Sequence, residues 1–313
     1  MEKITVSNGS LAYVAVLKEL HGNGRRVGKF IEGINLDIEI TDSLRAEPLS
    51  NKIYWVWAFV EGIERLAKNY INPGVAWKLR PNWKKKLGKE NGTFCYSYGD
   101  IYRGQLPIIL KTLKRSLERE AIISVWKPEY LEKRKKYQRV PCTLTLHFYK
   151  DESIKHAPKL NLFVNMRSSD VPNLLSYDLF HHSLLLRYVA AKIGCPIGSL
   201  FFRASHFYMH QKRWRHEKLE RELAGMEDRV YTPFPMTVDP EKLDEDISNA
   251  YCWIYRAING EDVIPIPEGL IYSPLISHLT NCILYKVQRR KGRKDLYKLD
   301  SSARTHYETL LKL

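Results

Sequence analysis

The sequence predicts an α+β fold, and three observations carry that reading. Apolar stretches with strand-type alternation lie at 141–149 and 158–166. Segments of helical spacing lie between and around such stretches, but without the regular βαβ alternation of a doubly wound parallel sheet. Finally, no internal repeat or low-complexity linker interrupts the 313 residues, so residues 1–313 read as one large unit.

Taken in order, residues 11–20 read as a helix, and Leu36 to Ile40 alternates like a strand. Residues 51–69 are apolar at helical spacing and heavy with Trp55, Trp57 and Phe59. Leu106 to Glu118 predicts a second amphipathic helix, and Ala121 to Trp126 an apolar strand. The two long strands at 141–149 and 158–166 are joined by the polar segment Asp151–Lys155. Residues 176–192 predict a strongly apolar helix stopped by Gly194 and Pro196. Ser199–His206 predicts another strand, followed by a charged, proline-punctuated stretch, a helix near 242–258 and a basic C-terminal segment over 285–313.

Hydrophobic residues make up 44% and charged residues 27%, the balance of a folded, soluble chain. No apolar run reaches the roughly 18 residues of a membrane span, and the first residues lack a signal-peptide pattern, so the expected compartment is the cytoplasm. Five cysteines with no CxxC pair argue against a disulfide framework or a cysteine-rich zinc site, and no metal is expected. The net charge of +15 points to anionic partners. It gathers in Lys84–Lys86, Lys133–Lys136, Lys212–Arg215 and Arg289–Lys294, runs that suit a solvated surface or, beside Trp83 and Trp214, nucleic acid.

The chemistry-bearing residues fall in order across the middle of the chain. Pro141-Cys142 opens the first long strand, Arg167-Ser168-x-Asp170 ends the second, and Asp178 and His206-x-Tyr208 follow. Cys142 alone suits either a buried small hydrophobe or a nucleophile. Arg167 and Ser168 suit a phosphate, offering a guanidinium fork and a hydroxyl donor, and a nearby cation would favour the attacking thiolate.

In these motifs the sequence resembles the thymidylate synthase family and, within it, the pyrimidine nucleotide hydroxymethylases. Tyr98-Gly99 and Ile122 to Trp126 also fit, and the best-matched core is 94–210. The resemblance implies a large mixed sheet flanked by helices, one sheet face being used for homodimerisation. It implies a pyrimidine nucleoside monophosphate as substrate and 5,10-methylenetetrahydrofolate, or a related pterin, as cofactor. Cys142 would be the nucleophile, with Tyr98 a further catalytic group. Arg167, Ser168 and Arg26 would hold phosphate, and Arg119 would reach the partner subunit's phosphate. His206 and Tyr208 would hold the sugar hydroxyl, and Asp170 and Trp77 would face the folate.

Departures from the pattern of thymidylate synthases shape the expected function. Asp178 stands where thymidylate synthases carry asparagine; a carboxyl group suits the N4 amino donor and N3 acceptor of cytosine, as in the similar deoxycytidylate hydroxymethylases. Asp178 also suits a helix N-cap. A gapless reading through Gly62 and Trp77 puts Trp55 at the position of the catalytic glutamate, leaving Glu61 or Glu64 to take that role, Glu61 being preferred. Thr143 and Met166 replace the family's usual histidine and glutamine. The chain's last residues differ from the closing tail of thymidylate synthases, which favours a hydroxymethyl over a methyl product. The expected activity is one-carbon transfer to C5 of CMP or dCMP. Another pyrimidine or donor, or a catalytically altered nucleotide- or RNA-binding protein on this fold, stays open.

Overall fold

A computed structural model describes residues 2–46, 54–89, 91–115, 119–132, 139–153, 158–212, 216–224, 239–261, 266–267 and 269–290. The basic runs at 133–136, at 213–215 and beyond 290 lie outside the described residues.

The chain begins with β1 (Glu2–Val6), α1 (Gly9–Asn23), β2 (Arg25–Val27) and β3 (Phe30–Ile40). Then come α2 (Trp55–Leu66), the short α3 (Ala76–Leu79) and α4 (Asn82–Leu87), α5 (Tyr98–Leu113), β4 (Ile122–Ser124) and α6 (Glu129–Glu132). The long strands β5 (Thr143–Asp151) and β6 (Lys159–Met166) follow, with the two-residue β7 (Ser169–Asp170). A π-helical turn, Val171–Leu175, leads into α7 (Ser176–Ile193), then β8 (Ile197–His210), α8 (His216–Leu223), α9 (Leu243–Ile258) and α10 (Pro274–Arg290).

The strands form one mixed sheet in the order β1-β3-β8-β6-β5-β4, with β2 added to β3 and β7 to β8. β5 and β6 are antiparallel, whereas β6 runs parallel to β8 through the α7 crossover. Alternation sorts the faces. Leu146, Phe148, Leu162, Val164, Leu200 and Phe202 are buried in the core with α1, α2 and α7. The opposite face carries His147, Phe163, Phe201 and Arg203; Phe163 and Phe201 stack at 4.4 Å, and Arg203 is paired with Asp37 at 2.5 Å.

Helix α2 crosses this core and is buried along nearly its whole length. Gly62 lets it approach α7, since a Cβ there would come within 2.8 Å of Leu184 Cδ2. α9 and α10 also pack onto α2, and the α9 residue Asp246 caps the turn before α10 by accepting from the Tyr272 and Ser273 N–H groups at 3.0 and 2.7 Å.

Several sequence expectations shift. The helix expected from Leu106 begins at Tyr98, capped by Ser97, whose hydroxyl accepts from the Asp100 N–H; it ends at Leu113. The Ser97-Tyr98-Gly99-Asp100 sequence has the pattern of such a cap. The strand expected over 121–126 is shortened to Ile122–Ser124. A helix not expected from the sequence, α10, has Leu275, Ile276, Leu279, Cys282 and Ile283 buried at helical spacing and runs into the expected basic segment of 285–313 over its last residues. Asp178 is not an N-cap: it lies within the first turn of α7, because the π-helical turn feeds straight into that helix and its N-cap position is Leu175.

Candidate active site

Strand register brings residues far apart in sequence to one end of the sheet. Thr143 of β5 pairs with Met166 of β6, so Cys142 and Arg167 become neighbours. The Arg167 N–H donates to the Cys142 carbonyl at 2.9 Å. Its guanidinium donates to the Pro141 and Val140 carbonyls at 3.0 and 3.2 Å, to Ser168 Oγ at 3.2 Å and to Cys142 Sγ at 3.6 Å. β7 places Asp170 opposite Tyr208 of β8. Ser169, between Ser168 and Asp170, donates to Asp178 Oδ2 at 3.4 Å.

Electrostatics bind these groups into one cluster. Burial pushes the Cys142 thiol up, the Arg167 guanidinium pulls it back, and Asp178 raises it again; Ser168 and Arg139 favour the thiolate. Burial pushes the Asp178 carboxyl up to about 7, against the pull of Arg65 and with a push from Glu61. The Tyr208 hydroxyl rises to about 12 by burial, with Asp170 and Cys142 adding to the effect. Both Asp170 carboxylate oxygens accept from Asn173 Nδ2, at 2.9 and 3.0 Å.

A cleft of about 520 Å3, including its open mouth, lies between α2, the segment 70–83 and the start of α5. Glu61, Trp77, Trp83, Tyr96 and Tyr98 line it. Tyr98 joins the cleft to the Cys142 end of β5, because its hydroxyl and Thr143 Oγ1 share a hydrogen bond at 3.0 Å. Trp57 and Trp83 stack at 5.8 Å. Arg80 lies over the rings of Trp57 and Tyr177 and donates to the Tyr177 hydroxyl at 2.7 Å.

Both candidate glutamates line the cleft, but their hydrogen bonds differ. Glu64 Oε1 accepts from the Val75 and Ala76 N–H groups, and the side chain is buried, so it anchors the turn before α3. Burial drives its carboxyl up to about 8. Glu61 Oε1 takes Arg65 Nη2 at 2.6 Å and Nε at 3.2 Å, while its Oε2 is buried with no protein hydrogen-bond partner. Trp55 is buried against Phe59 and Phe180, away from the cleft lining. An orphaned buried acceptor between aromatic walls suits the N–H edge of a flat heterocycle such as a pterin.

The remaining candidates divide. Trp77 lines the cleft and donates its ring N–H to the Gly74 carbonyl at 3.1 Å. His206 is exposed on the strand of Tyr208, its Nδ1 3.5 Å from Glu32 Oε2. Arg26 is exposed on β2, in register with Ile31 and Met209, whereas its neighbour Arg25 shares the row of Glu32 and Tyr208. Arg119 is exposed ahead of β4, at the end of β5 opposite Cys142: Ile122 already pairs with His147. The structure does not bring Arg26 or Arg119 into the Cys142 cluster. Arg65 and Arg139 were missed by the sequence reading. The four-residue spacing of Glu61 and Arg65 was a visible signal for the first; for Arg139 the only signal was its proximity to Cys142 in sequence.

A cysteine held by an arginine at a sheet end thus lies beside an aromatic cleft lined by Glu61. Comparison with known proteins places this arrangement in a family. The fold is similar to a thermostable thymidylate synthase A from Bacillus subtilis, with 20% identity and a TM-score of 0.58 over 77% of this chain and 91% of that one. It is also similar to thymidylate synthase from T4 phage, with 20% identity and a TM-score of 0.53 over 66% and 78% of the two chains. No curated protein sequence matches. The model of the thymidylate synthase family matches residues 41–230, more than half of the chain, and the chain belongs to that family. Its members transfer a one-carbon unit from methylenetetrahydrofolate to a pyrimidine nucleotide and work as dimers. α9 and α10 lie outside the matched range. No described helix is long and apolar enough to cross a membrane.

Proposed function

We propose that the chain transfers a one-carbon unit to C5 of a cytosine nucleoside monophosphate, CMP or dCMP, and releases the 5-hydroxymethyl nucleotide. The observation that carries this reading is Asp178. It is a carboxyl enclosed near the nucleophile, pushed up to about 7 by burial and in contact with Ser169. A carboxyl group exchanging between its two protonation states near neutral pH can accept from the cytosine N4 amino group and donate to N3. An asparagine amide would instead suit uracil. A mismatch there would leave buried polar groups unpaired at roughly 1–3 kcal/mol.

The residues divide the work as follows. Arg167 and Ser168 take the 5′-phosphate and orient the base over Cys142. Cys142 Sγ adds to C6, which makes C5 nucleophilic, and leaves again once the C5 hydrogen has been removed. Trp77 and Asp170 would hold methylenetetrahydrofolate, which would supply the carbon and depart as tetrahydrofolate, while water would supply the hydroxyl oxygen. Glu61, with Oε2 free, and Tyr98, hydrogen-bonded to Thr143, move protons on the cleft side. His206 and Tyr208 meet the sugar hydroxyl. Arg119 serves the phosphate of the partner subunit, in a dimer formed through the sheet face of Phe163 and Phe201.

The test is incubation with methylenetetrahydrofolate and each of CMP, dCMP, UMP and dUMP, with products resolved by mass spectrometry. A hydroxymethyl adduct confined to cytosine nucleotides and lost in Cys142→Ala supports the reading. A methyl adduct on dUMP overturns it.

A further inference from the structure

Arg65 stands at the junction of the two halves of the site, and no part of the reaction described above uses it. It lies on α2, one turn after Glu61, with only 9% of its side chain exposed. Two of its nitrogens donate to the same oxygen, Glu61 Oε1, while Oε2 is buried without a protein hydrogen-bond partner in a residue that lines the cleft. The guanidinium lies 4.1 Å from the centre of the Tyr98 ring, the tyrosine whose hydroxyl meets Thr143 beside the nucleophile.

We propose that Arg65 is a positioning residue: its guanidinium orients the Glu61 carboxylate toward the cleft and fixes the Tyr98 ring, so that one buried cation sets both proton-handling groups. This rests on the assignment of Glu61 and Tyr98 as those groups. The geometry favours it over a purely structural ion pair. A cation needed only for charge balance would have no reason to lie over a ring whose hydroxyl reaches the residue following Cys142. Packing of a guanidinium on an aromatic face and its two-nitrogen hold both depend on the planar fork, which lysine lacks.

The charges around Arg65 come from three helices. α2 contributes Glu61 and Glu64, α5 contributes Tyr98 and Tyr102, and α7 contributes Asp178, His181 and His182. Burial, reinforced by Arg65, holds His181 well below its ordinary range and lowers His182 to about 3, so both imidazoles are neutral at pH 7. Of these groups Arg65 alone is then cationic, and it pulls the Asp178 carboxyl down.

The experiment compares wild type, Arg65→Gln and Arg65→Lys in exchange of the C5 hydrogen of dCMP or CMP with solvent, across pH. The expected result for Arg65→Gln is a kcat reduced roughly 100-fold, the scale of a lost general acid–base contribution, with little change in KM. Arg65→Lys keeps the charge but not the fork, so its pH profile stays near wild type while kcat remains low. A rise in KM with kcat intact, or equal activity in all three proteins, overturns the proposal. NMR of the isotope-labelled Tyr98 ring provides a readout without turnover. Faster ring flipping in Arg65→Lys than in wild type supports the proposal, and an unchanged rate overturns it. Absence of exchange in wild type, with the ring still held by Arg65, would fail the assignment of function and not the hold of Arg65 on the ring.

Discussion

Arg167 holds Cys142 twice, by a backbone N–H to the Cys142 carbonyl at 2.9 Å and by Nη2 to Sγ at 3.6 Å. The same guanidinium tethers Val140 and Pro141, so the arginine shapes the backbone leading into Cys142 as well as the thiol's charge. Burial raises the thiol's pKa above its ordinary value and outweighs the opposing influences, of which Arg167 is the largest. Arg167→Gln therefore raises the thiol's pKa. At pH 7, alkylation by iodoacetamide should slow by about tenfold for each unit of that rise. Pseudo-first-order inactivation rates across pH measure the shift, and an unchanged profile would show that Arg167 does not tune the thiol.

Asp178→Asn should exchange cytosine for uracil preference. Loss of one correctly paired polar contact and gain of another moves the ratio of kcat/KM for dCMP over dUMP by roughly ten- to hundredfold. Competition between the two nucleotides, read by mass spectrometry, measures that ratio directly. Equal ratios in the two proteins would remove Asp178 from base recognition.

Glu64 and Asp178 make folding depend on pH in one direction. Their folded pKa values are raised by burial to about 8 and about 7, from 4.5 and 3.8. Between those limits the folded state holds more protons than the unfolded one, so their contribution is greatest below about pH 4 and is lost as pH rises through 7 and 8. Glu64→Gln keeps an acceptor for the Val75 and Ala76 N–H groups and removes that part of the slope. Thermal unfolding from pH 5 to 9 should show a Tm that falls less with pH in Glu64→Gln than in wild type. Glu64→Ala, which leaves both N–H groups without an acceptor, should cost roughly 1–3 kcal/mol for each N–H left unsatisfied.

Gly99 sits where α5 meets α2. A Cβ at this position would stand 2.8 Å from the Glu64 carbonyl oxygen and 2.7 Å from Tyr70 Cδ1. Gly99→Ala should destabilise by roughly 1–3 kcal/mol through overpacking, although alanine is the better helix former. Because Tyr98 is adjacent, activity should fall as well. Urea denaturation gives the first effect, and a stability equal to wild type would show that the helices move apart freely.

What the sequence revealed was the part written in local patterns. The β5 and β6 strands, the α7 helix with its Gly194 stop, and the Cys142, Arg167, Ser168 and Asp178 set all rest on alternation, turn chemistry or short motifs. Gly194 indeed ends α7 in the left-handed region at φ 65°. What the sequence concealed was register and depth. α10 carries polar residues among its buried ones, and its basic last turn reads as the start of a tail. A gapless count over α2 placed Trp55 at the catalytic position, but that side chain is core packing for Phe180; Glu61, almost two turns later, lines the cleft. Arg26 is the phosphate ligand expected from the sequence, yet strand pairing gives the Tyr208 row to Arg25. Such exchanges depend on which side of a strand or helix faces the site, and that is fixed by tertiary packing.

The most direct measurement is the mass of the nucleotide recovered after incubation of dCMP or CMP with the protein and methylenetetrahydrofolate. The account predicts 5-hydroxymethylcytosine monophosphate, formed by wild type and absent with Cys142→Ala. Conversion of dUMP to its 5-methyl product, with cytosine nucleotides untouched, would contradict it.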